Sequence, residues 1–265
     1  MEKIVPQESS FDLAEKLDKW HVALAYVTAS ISFVTGILSR FQFTLPFLQK
    51  LVWTWLPGAV LVLTVATGIL HCLFTHQYQQ AEDIRRDDFF ENAFGCLLGD
   101  KHSDGYFSND STSFGLKKAL LNVNENCFFS LDIIQHMLRR RILFAVPLGI
   151  LLFAVVALNI GGTPFTMLAL NLFLALDIVA DLVRLYRLKL SLDKVNGNCK
   201  IILSSHVLEN EDKNQLQAAG SVIREIVRYE TALSYASTMF DSNYFREINS
   251  QKAKEWDDYK ARYLK

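Results

Sequence analysis

The chain reads as an all-α integral membrane protein: four transmembrane helices in two hairpins, a cytosolic helical hairpin between them, and a C-terminal cytosolic helical region. Three observations predict this. Four apolar runs approach or reach the length that crosses a bilayer, Lys and Arg are unevenly distributed around those runs, and the polar stretches between and after them keep a helical period. Composition alone does not decide it, since 265 residues with 51% hydrophobic content and nineteen Phe also describe a soluble enzyme. The clustering of apolar residues does, because a hydrocarbon core of about 30 Å takes roughly 20 mainly apolar residues in a helix.

The first segment, residues 1–21, is acidic and polar. It lacks the basic start, short apolar stretch and cleavage site of a secretory signal, so the span that follows is expected to stay in the protein. Ser9 or Ser10 can cap a short amphipathic helix presenting Phe11, Ala14, Leu17 and His21, expected along the inner membrane face. The first transmembrane hairpin, 22–74, holds a span from Val22 to Leu38 with no ionisable residue and one from Leu51 to Phe74 with only His71. Phe41, Phe43, Phe47, Trp53 and Trp55 gather at its outer boundary, where amphipathic rings favour the headgroup layer.

Residues 75–141 read as a cytosolic helical hairpin: a charged helix, a turn-rich stretch from Gly99 to Gly115, and a second helix that ends on Arg139, Arg140 and Arg141. The second transmembrane hairpin, 142–182, joins an uncharged span, Ile142 to Ile160, to Phe165–Leu182, which carries Asn171, Asp177 and Asp181. Residues 183–265 form the C-terminal cytosolic region. It continues span four through Leu185, Leu188 and Leu192, is expected to break at Asn196–Gly197–Asn198, and resumes with a helix presenting Leu216, Ala219, Ile223, Ile226, Glu230 and Leu233. Self-association through that row is one expectation.

Orientation follows from basic residues near the spans. Lys3, Lys16 and Lys19 precede span one, eight Lys and Arg lie between spans two and three, and Arg184, Arg187 and Lys189 follow span four; the two outer loops carry only Arg40 and Lys50. Both termini are therefore expected in the cytoplasm of a multi-pass membrane protein. Cys72, Cys96, Cys127 and Cys199 show no zinc-ligand spacing and would sit in a reducing compartment, so neither a metal nor a disulfide is expected. The C-terminal region holds 14 basic against 11 acidic residues, net +3, and 75–141 holds 8 against 10, net −2; this permits a polyanionic ligand without calling for one.

A conducting path needs polar groups on its axis. Asp177 and Asp181, four apart on one face of span four, would repeat as rings in a homo-oligomer; the competing reading pairs them with Arg184 and Arg187. Thr28, Ser32 and Thr35 line a stripe of span one and are further pore-lining candidates, against the alternative that small hydroxyl residues tighten helix packing. Thr64, Thr67 and His71 form a similar stripe on span two. For an anionic ligand, Arg85 and Arg86 offer planar forks, with Tyr106, Lys117 and Lys118 facing them from the turn and the next helix; the alternative is local ion pairing with Asp83, Asp87 and Asp88. Asn92, Asn122, Asn124 and Glu125 are expected to fasten the hairpin. No Gly-rich phosphate loop, HExxH, GxSxG or nucleophile–base set is present, so no enzyme and no cofactor is expected.

The stretches AEDIRRDDFFENAFG at 81–95, GYFSND at 105–110 and NVNENCFFS at 122–130, set between two transmembrane pairs, resemble the bacterial SMODS-associated four-transmembrane pore-forming effector family over roughly residues 15–190. Ile84, Arg85, Arg86, Asp87, Phe89, Asn92, Phe94 and Gly95 match its first motif, and Tyr106, Asn122, Glu125, Phe128 and Phe129 match the later ones. Asp88 is a second acid beside Asp87, Phe107 stands for a second Tyr, and Asn126 stands where Ser is commoner. The resemblance implies an anti-phage effector that senses a nucleotide or oligonucleotide made by a partner nucleotidyltransferase and permeabilises the inner membrane; Hailong-type channel effectors are the related alternative. On this reading the partners are the lipid bilayer, other copies of the chain and the signal molecule, and no duplex DNA binding is expected. A membrane scaffold recruiting partners through its cytosolic helices fits the topology equally, and a membrane enzyme of unrecognised type ranks third.

Overall fold

The computed structural model describes residues 7–38, 45–99, 106–109, 111–158, 165–205, 208 and 215–263. Among these the only regular secondary structure is helical, without a strand. The helices are α1 (Glu8–Leu38), α2 (Pro46–Lys50), α3 (Leu56–Phe94), α4 (Leu116–Leu158), α5 (Phe165–Ser204), α6 (Gln215–Ala236) and α7 (Ser242–Tyr263), with a π-helical turn, Leu51–Trp55, joining α2 to α3. Pro57 follows that turn. It has no N–H to give, and the wider turn, in which the Leu56 N–H reaches the Leu51 carbonyl, leads the chain into α3.

The helices are longer than the sequence segments. Nothing between Glu8 and Leu38 interrupts α1, so the expected surface helix and the first span are one helix; it starts at Glu8, which puts Ser9 and Ser10 inside its first turn rather than at its cap. In the same way α3 and α4 run without a break past residues 75 and 141. Pro147 lies within α4 and does not end it.

Two compact units divide the chain. Unit 1 comprises Met1–Asp12, Tyr78–Leu138 and Arg184–Lys265; unit 2 comprises Leu13–Gln77 and Arg139–Val183.

Unit 1 is built around an apolar core. α5 contributes Leu185, Leu188, Leu192, Val195 and Cys199 at alternating three- and four-residue steps, all at most 2% exposed, and α4 contributes Leu120, Val123, Cys127 and Ile134. Each such fully buried Leu or Ile stabilises the fold by about 2 kcal/mol. This packing overrides the break expected at Asn196–Gly197–Asn198. Val195 and Cys199 need helical geometry to stay on the buried row, Gly197 faces outward with nothing within 4 Å of where a Cβ would stand, and Asn124 on α4 donates to the Asn196 side chain at 2.8 Å.

α6 also differs from the sequence row. Its buried face is Ala218, Val222, Ile226, Tyr229, Leu233 and Ala236, while Ile223 is 52% exposed. Val222 and Ile223 are both apolar and adjacent, so two overlapping rows fit the pattern, and contact with the unit core selects one. α7 is polar over most of its surface but buries Trp256, whose ring lies 5.3 Å from Phe128 and 5.3 Å from Tyr259. His136 of α4 stacks on Tyr244 of α7 at 3.8 Å and 11°.

α3 ends where Gly95 takes φ +70, the left-handed stop that glycine adopts without strain. A Cβ there would stand 3.0 Å from the Phe114 ring, so close packing as well as backbone sign calls for glycine. The Gly115 N–H closes the end by donating to the Ala93 carbonyl at 2.8 Å.

Unit 2 packs through small and hydroxyl side chains. Thr28, Ala29, Ser32, Thr35 and Gly36 form one buried stripe of α1. Thr28 and Thr35 donate to the carbonyls of Leu24 and Ile31, both at 2.7 Å, and Thr64 and Thr67 do the same on α3 at 2.8 Å. Large apolar residues turn outward instead: Leu61, Val62, Val65 and Ile69 are all more than half exposed. α1 and the continuous Pro46–Phe94 run are each long and apolar enough to cross a membrane. The segments expected as spans three and four lie along α4 and α5 as far as they are described; residues 159–160 and the side chains of residues 165–178, Asp177 among them, lie outside the described set.

Candidate functional site

The richest polar cluster of unit 1 sits where α3 meets α6. One turn of α3 presents Glu82, Asp83, Arg85 and Arg86, and α6 presents Tyr229, Glu230 and Ser234. Arg85 donates from Nε and Nη2 to Glu82 Oε2 at 3.1 and 2.9 Å, and from Nη2 to Glu230 Oε2 at 2.5 Å. Arg86 donates to the same Glu230 oxygen at 3.0 Å, to Asp83 at 2.8 Å and to the Ser234 hydroxyl at 2.5 Å. The Arg85 guanidinium is 8% exposed and lies 5.7 Å from the Tyr229 ring centre. Burial alone would lower its pKa, but Glu82, Tyr229 and Glu230 hold it well above the ordinary value. Burial pushes the Tyr78 and Tyr229 hydroxyls up, so both stay protonated.

This arrangement bears on the five residues proposed for ligand contact. Arg85 and Arg86 hold three carboxylates, and one of them, Glu230, comes from α6 rather than from the acids beside them in sequence. A phosphate would have to replace those partners. Asp87, one of the acids expected to pair locally, is exposed. Tyr106 is 37% exposed and packs edge-on to Phe107 at 4.8 Å. Lys117 is exposed, whereas Lys118 is 4% exposed with its ammonium 4.8 Å from the Phe114 ring centre.

A second polar cluster joins α3, the 106–109 segment, α4 and α7. Asn122 donates to Asn92 at 2.8 Å; Asn109 donates to Asn122 at 3.1 Å and to Glu125 at 2.7 Å; the Ser108 N–H reaches the Glu125 carboxylate at 3.2 Å. Trp256 and Lys260 both donate to the Ser108 hydroxyl, at 2.9 and 3.1 Å. Burial raises the Glu125 pKa, against the lowering effect of the hydrogen bonds from Ser108 and Asn109. Asn124 leaves this group and serves α5 instead. Phe128 and Phe129 are half-buried and carry the aromatic contacts to α7, Phe129 through Phe245 at 6.3 Å.

Among the pore-lining candidates, Asp181 accepts from Arg141 of α4. That places a basic residue 40 positions earlier in the chain against it. Thr28, Ser32 and Thr35 are buried at 0%, 0% and 1%, inside the packing of unit 2. Asp177 has no described side chain.

Glu230, Ser234 and Trp256 were not singled out by their sequence context. Glu230 stood on a row read as apolar, and an acid on such a row is itself the signal that a buried cation waits opposite. Among the described residues, no group of three or more His, Cys, Asp and Glu side chains could hold a metal. Comparison with family models finds no match, and comparisons with curated proteins and with solved structures find none either.

Proposed function

We propose that this chain is a signal-gated, pore-forming effector of a bacterial anti-phage abortive-infection system: a four-span homo-oligomer of the inner membrane, with both termini cytoplasmic, that depolarises the cell. The observation that carries the membrane part is the outward apolar surface of α1 and of the Pro46–Phe94 run. Rows such as Leu61, Val65 and Ile69 leave water only if lipid or another subunit covers them. The motif resemblance at 81–95, 105–110 and 122–130 supports the effector reading, with unit 1 receiving a nucleotide or oligonucleotide signal.

A second reading is favoured by a specific observation. Asp181 is held by Arg141 and the α1 hydroxyl stripe is buried, which suits a non-conducting scaffold whose helices are tied together. Membrane potential in bacteria expressing the chain separates the two, with Asp177→Asn/Asp181→Asn compared against wild type and a partner nucleotidyltransferase present or absent. Depolarisation that responds to the partner is the expected result. A potential that never moves under any of these conditions puts the scaffold first.

A further inference from the structure

Two buried atoms of the α3–α6 cluster have no hydrogen-bond partner among the described residues. Arg85 donates from Nε and Nη2 but not from Nη1, and Glu230 accepts at Oε2 but not at Oε1; both idle atoms are shut off from solvent. They belong to the same ion pair. Nη2 and Oε2 meet at 2.5 Å. By the covalent dimensions of the two groups, Nη1 and Oε1 therefore stand at most about 7 Å apart, one a donor and the other an acceptor. The ring of Tyr229 lies 5.7 Å from the same guanidinium, and Tyr78 and Tyr106 also lie within its field.

Buried polar atoms are rarely left unpaired, because each forfeits its hydrogen bond to water without a replacement. An idle donor near an idle acceptor therefore marks a place for a third group. Charge selects its kind. Two guanidinium groups, Arg85 and Arg86, face three carboxylates, Glu82, Asp83 and Glu230, a net charge of −1. A phosphoryl group, itself carrying about −1.5 to −2, would be repelled there and would have to displace a carboxylate. A neutral group with a donor next to an acceptor satisfies both idle atoms and displaces neither carboxylate nor guanidinium. It must also be flat, to lie beside Tyr229. The edge of a nucleobase with an exocyclic amine has that form, and arginine planes and aromatic rings are the surfaces on which unstacked bases settle. Entry is from the rim, where Arg86 and Asp83 keep 29% and 71% of their side chains exposed.

We infer that Arg85 Nη1 and Glu230 Oε1 form a recognition site for the edge of a nucleobase, the guanidinium donating to a ring nitrogen or carbonyl and the carboxylate accepting from the exocyclic amine. The base, not the phosphate, is what this cluster holds. The inference rests on the proposed reading that unit 1 receives a nucleotide or oligonucleotide signal, but it concerns binding and not conduction.

The test is thermal unfolding of the full chain in maltoside micelles, titrated with adenosine, cytidine and guanosine, with the same nucleosides doubly methylated on the exocyclic amine, and with inorganic pyrophosphate. At least one unmodified nucleoside is expected to stabilise wild type. Its dimethylated form, which lacks the donor that Oε1 needs, should bind about tenfold or more weakly, and pyrophosphate should give no stabilisation. Arg85→Lys, which keeps the positive charge but offers one nitrogen in place of the fork, should lose that preference, whereas Lys254→Met, an exposed change on α7, should leave it unchanged. If Arg85→Lys does not fold, the nucleoside series on wild type still decides. Failure of every nucleoside to stabilise wild type means that an internal water only fills the gap and overturns the site, as does equal binding of parent and dimethylated forms. Stabilisation by pyrophosphate alone overturns it in favour of the phosphate. Depolarisation that responds to the partner nucleotidyltransferase, in a chain that binds no nucleoside, sinks this inference while leaving the pore reading standing. Nucleoside binding by a chain that never depolarises keeps the site and sinks the pore.

Discussion

Asn124 of α4 donates its side-chain amide to Asn196 of α5 at 2.8 Å, across 72 residues of chain. The bond lies beside Val195 and Cys199, on the buried row of α5, and fastens the helix at the place where Asn196–Gly197–Asn198 would otherwise favour a turn. Asn124→Ala removes the donor and leaves the Asn196 carboxamide short of a partner, so it should lower unfolding stability by about 1–2 kcal/mol. Thermal unfolding of the purified chain in detergent checks this; a loss below a few tenths of a kcal/mol would mean that apolar packing alone holds α5 straight.

Gly197 gives the opposite sign. It is exposed within a 40-residue helix and has nothing within 4 Å of a Cβ position. Gly197→Ala therefore adds no clash and removes unfolded-chain entropy, and should raise stability by about 0.5–1 kcal/mol. The same unfolding assay reads it, and a destabilised variant would show that α5 needs the glycine for a bend.

The Arg85–Glu230 contact, at 2.5 Å and 145 residues apart in sequence, is the main charged tie between α3 and α6. Arg85→Met leaves the buried Glu82 without its cation and Glu230 with Arg86 alone, and Glu230→Gln leaves Arg85 with Glu82 alone, so each single change should cost about 3 kcal/mol. The double variant should cost clearly less than the sum, because the attraction between Arg85 and Glu230 is lost only once. Strict additivity in a double-mutant cycle would show that the pair contributes no coupling.

Glu125 gives a pH prediction. Burial raises its pKa above the ordinary 4.5, so the folded chain holds this proton more tightly than the unfolded chain does. Its effect on stability is neutral at low pH, where both states are protonated, and turns unfavourable as pH rises from about 4.5 through the raised folded value. Glu125→Gln cannot titrate. The difference in melting temperature between wild type and Glu125→Gln should therefore move against wild type across that window, and a difference independent of pH would contradict the raised value.

Three of the four cysteines should sort by reactivity. Burial pushes the Cys199 thiol up to about 12 and the Cys127 thiol well above its ordinary range, which leaves almost no thiolate at neutral pH. Cys96 is exposed. In detergent at neutral pH, maleimide should label Cys96 within minutes and reach Cys127 and Cys199 only after unfolding, as mass spectrometry of peptides would record. Rapid labelling of Cys199 in the folded chain would show that α5 opens locally.

The sequence by itself determined what depends on neighbours three or four residues away. The apolar runs of α1 and α3, the helical character of the polar stretches, the stop at Gly95 and the buried positions Leu120, Val123 and Ile134 all follow from local period and local backbone preference. Only the tertiary structure decided the rest. It merged surface helices and spans into single long helices, because no residue strong enough to stop them stands at 21, 75 or 141. It kept α5 helical through Asn196–Gly197–Asn198, where core packing and one side-chain bond outweigh weak propensity. It matched Arg85 and Arg86 to Glu230, Asp181 to Arg141, and Ser108 to Trp256. A period states which face of a helix is buried. It carries no information about which distant face lies opposite, and the chemistry of every candidate site in this protein depends on that second quantity.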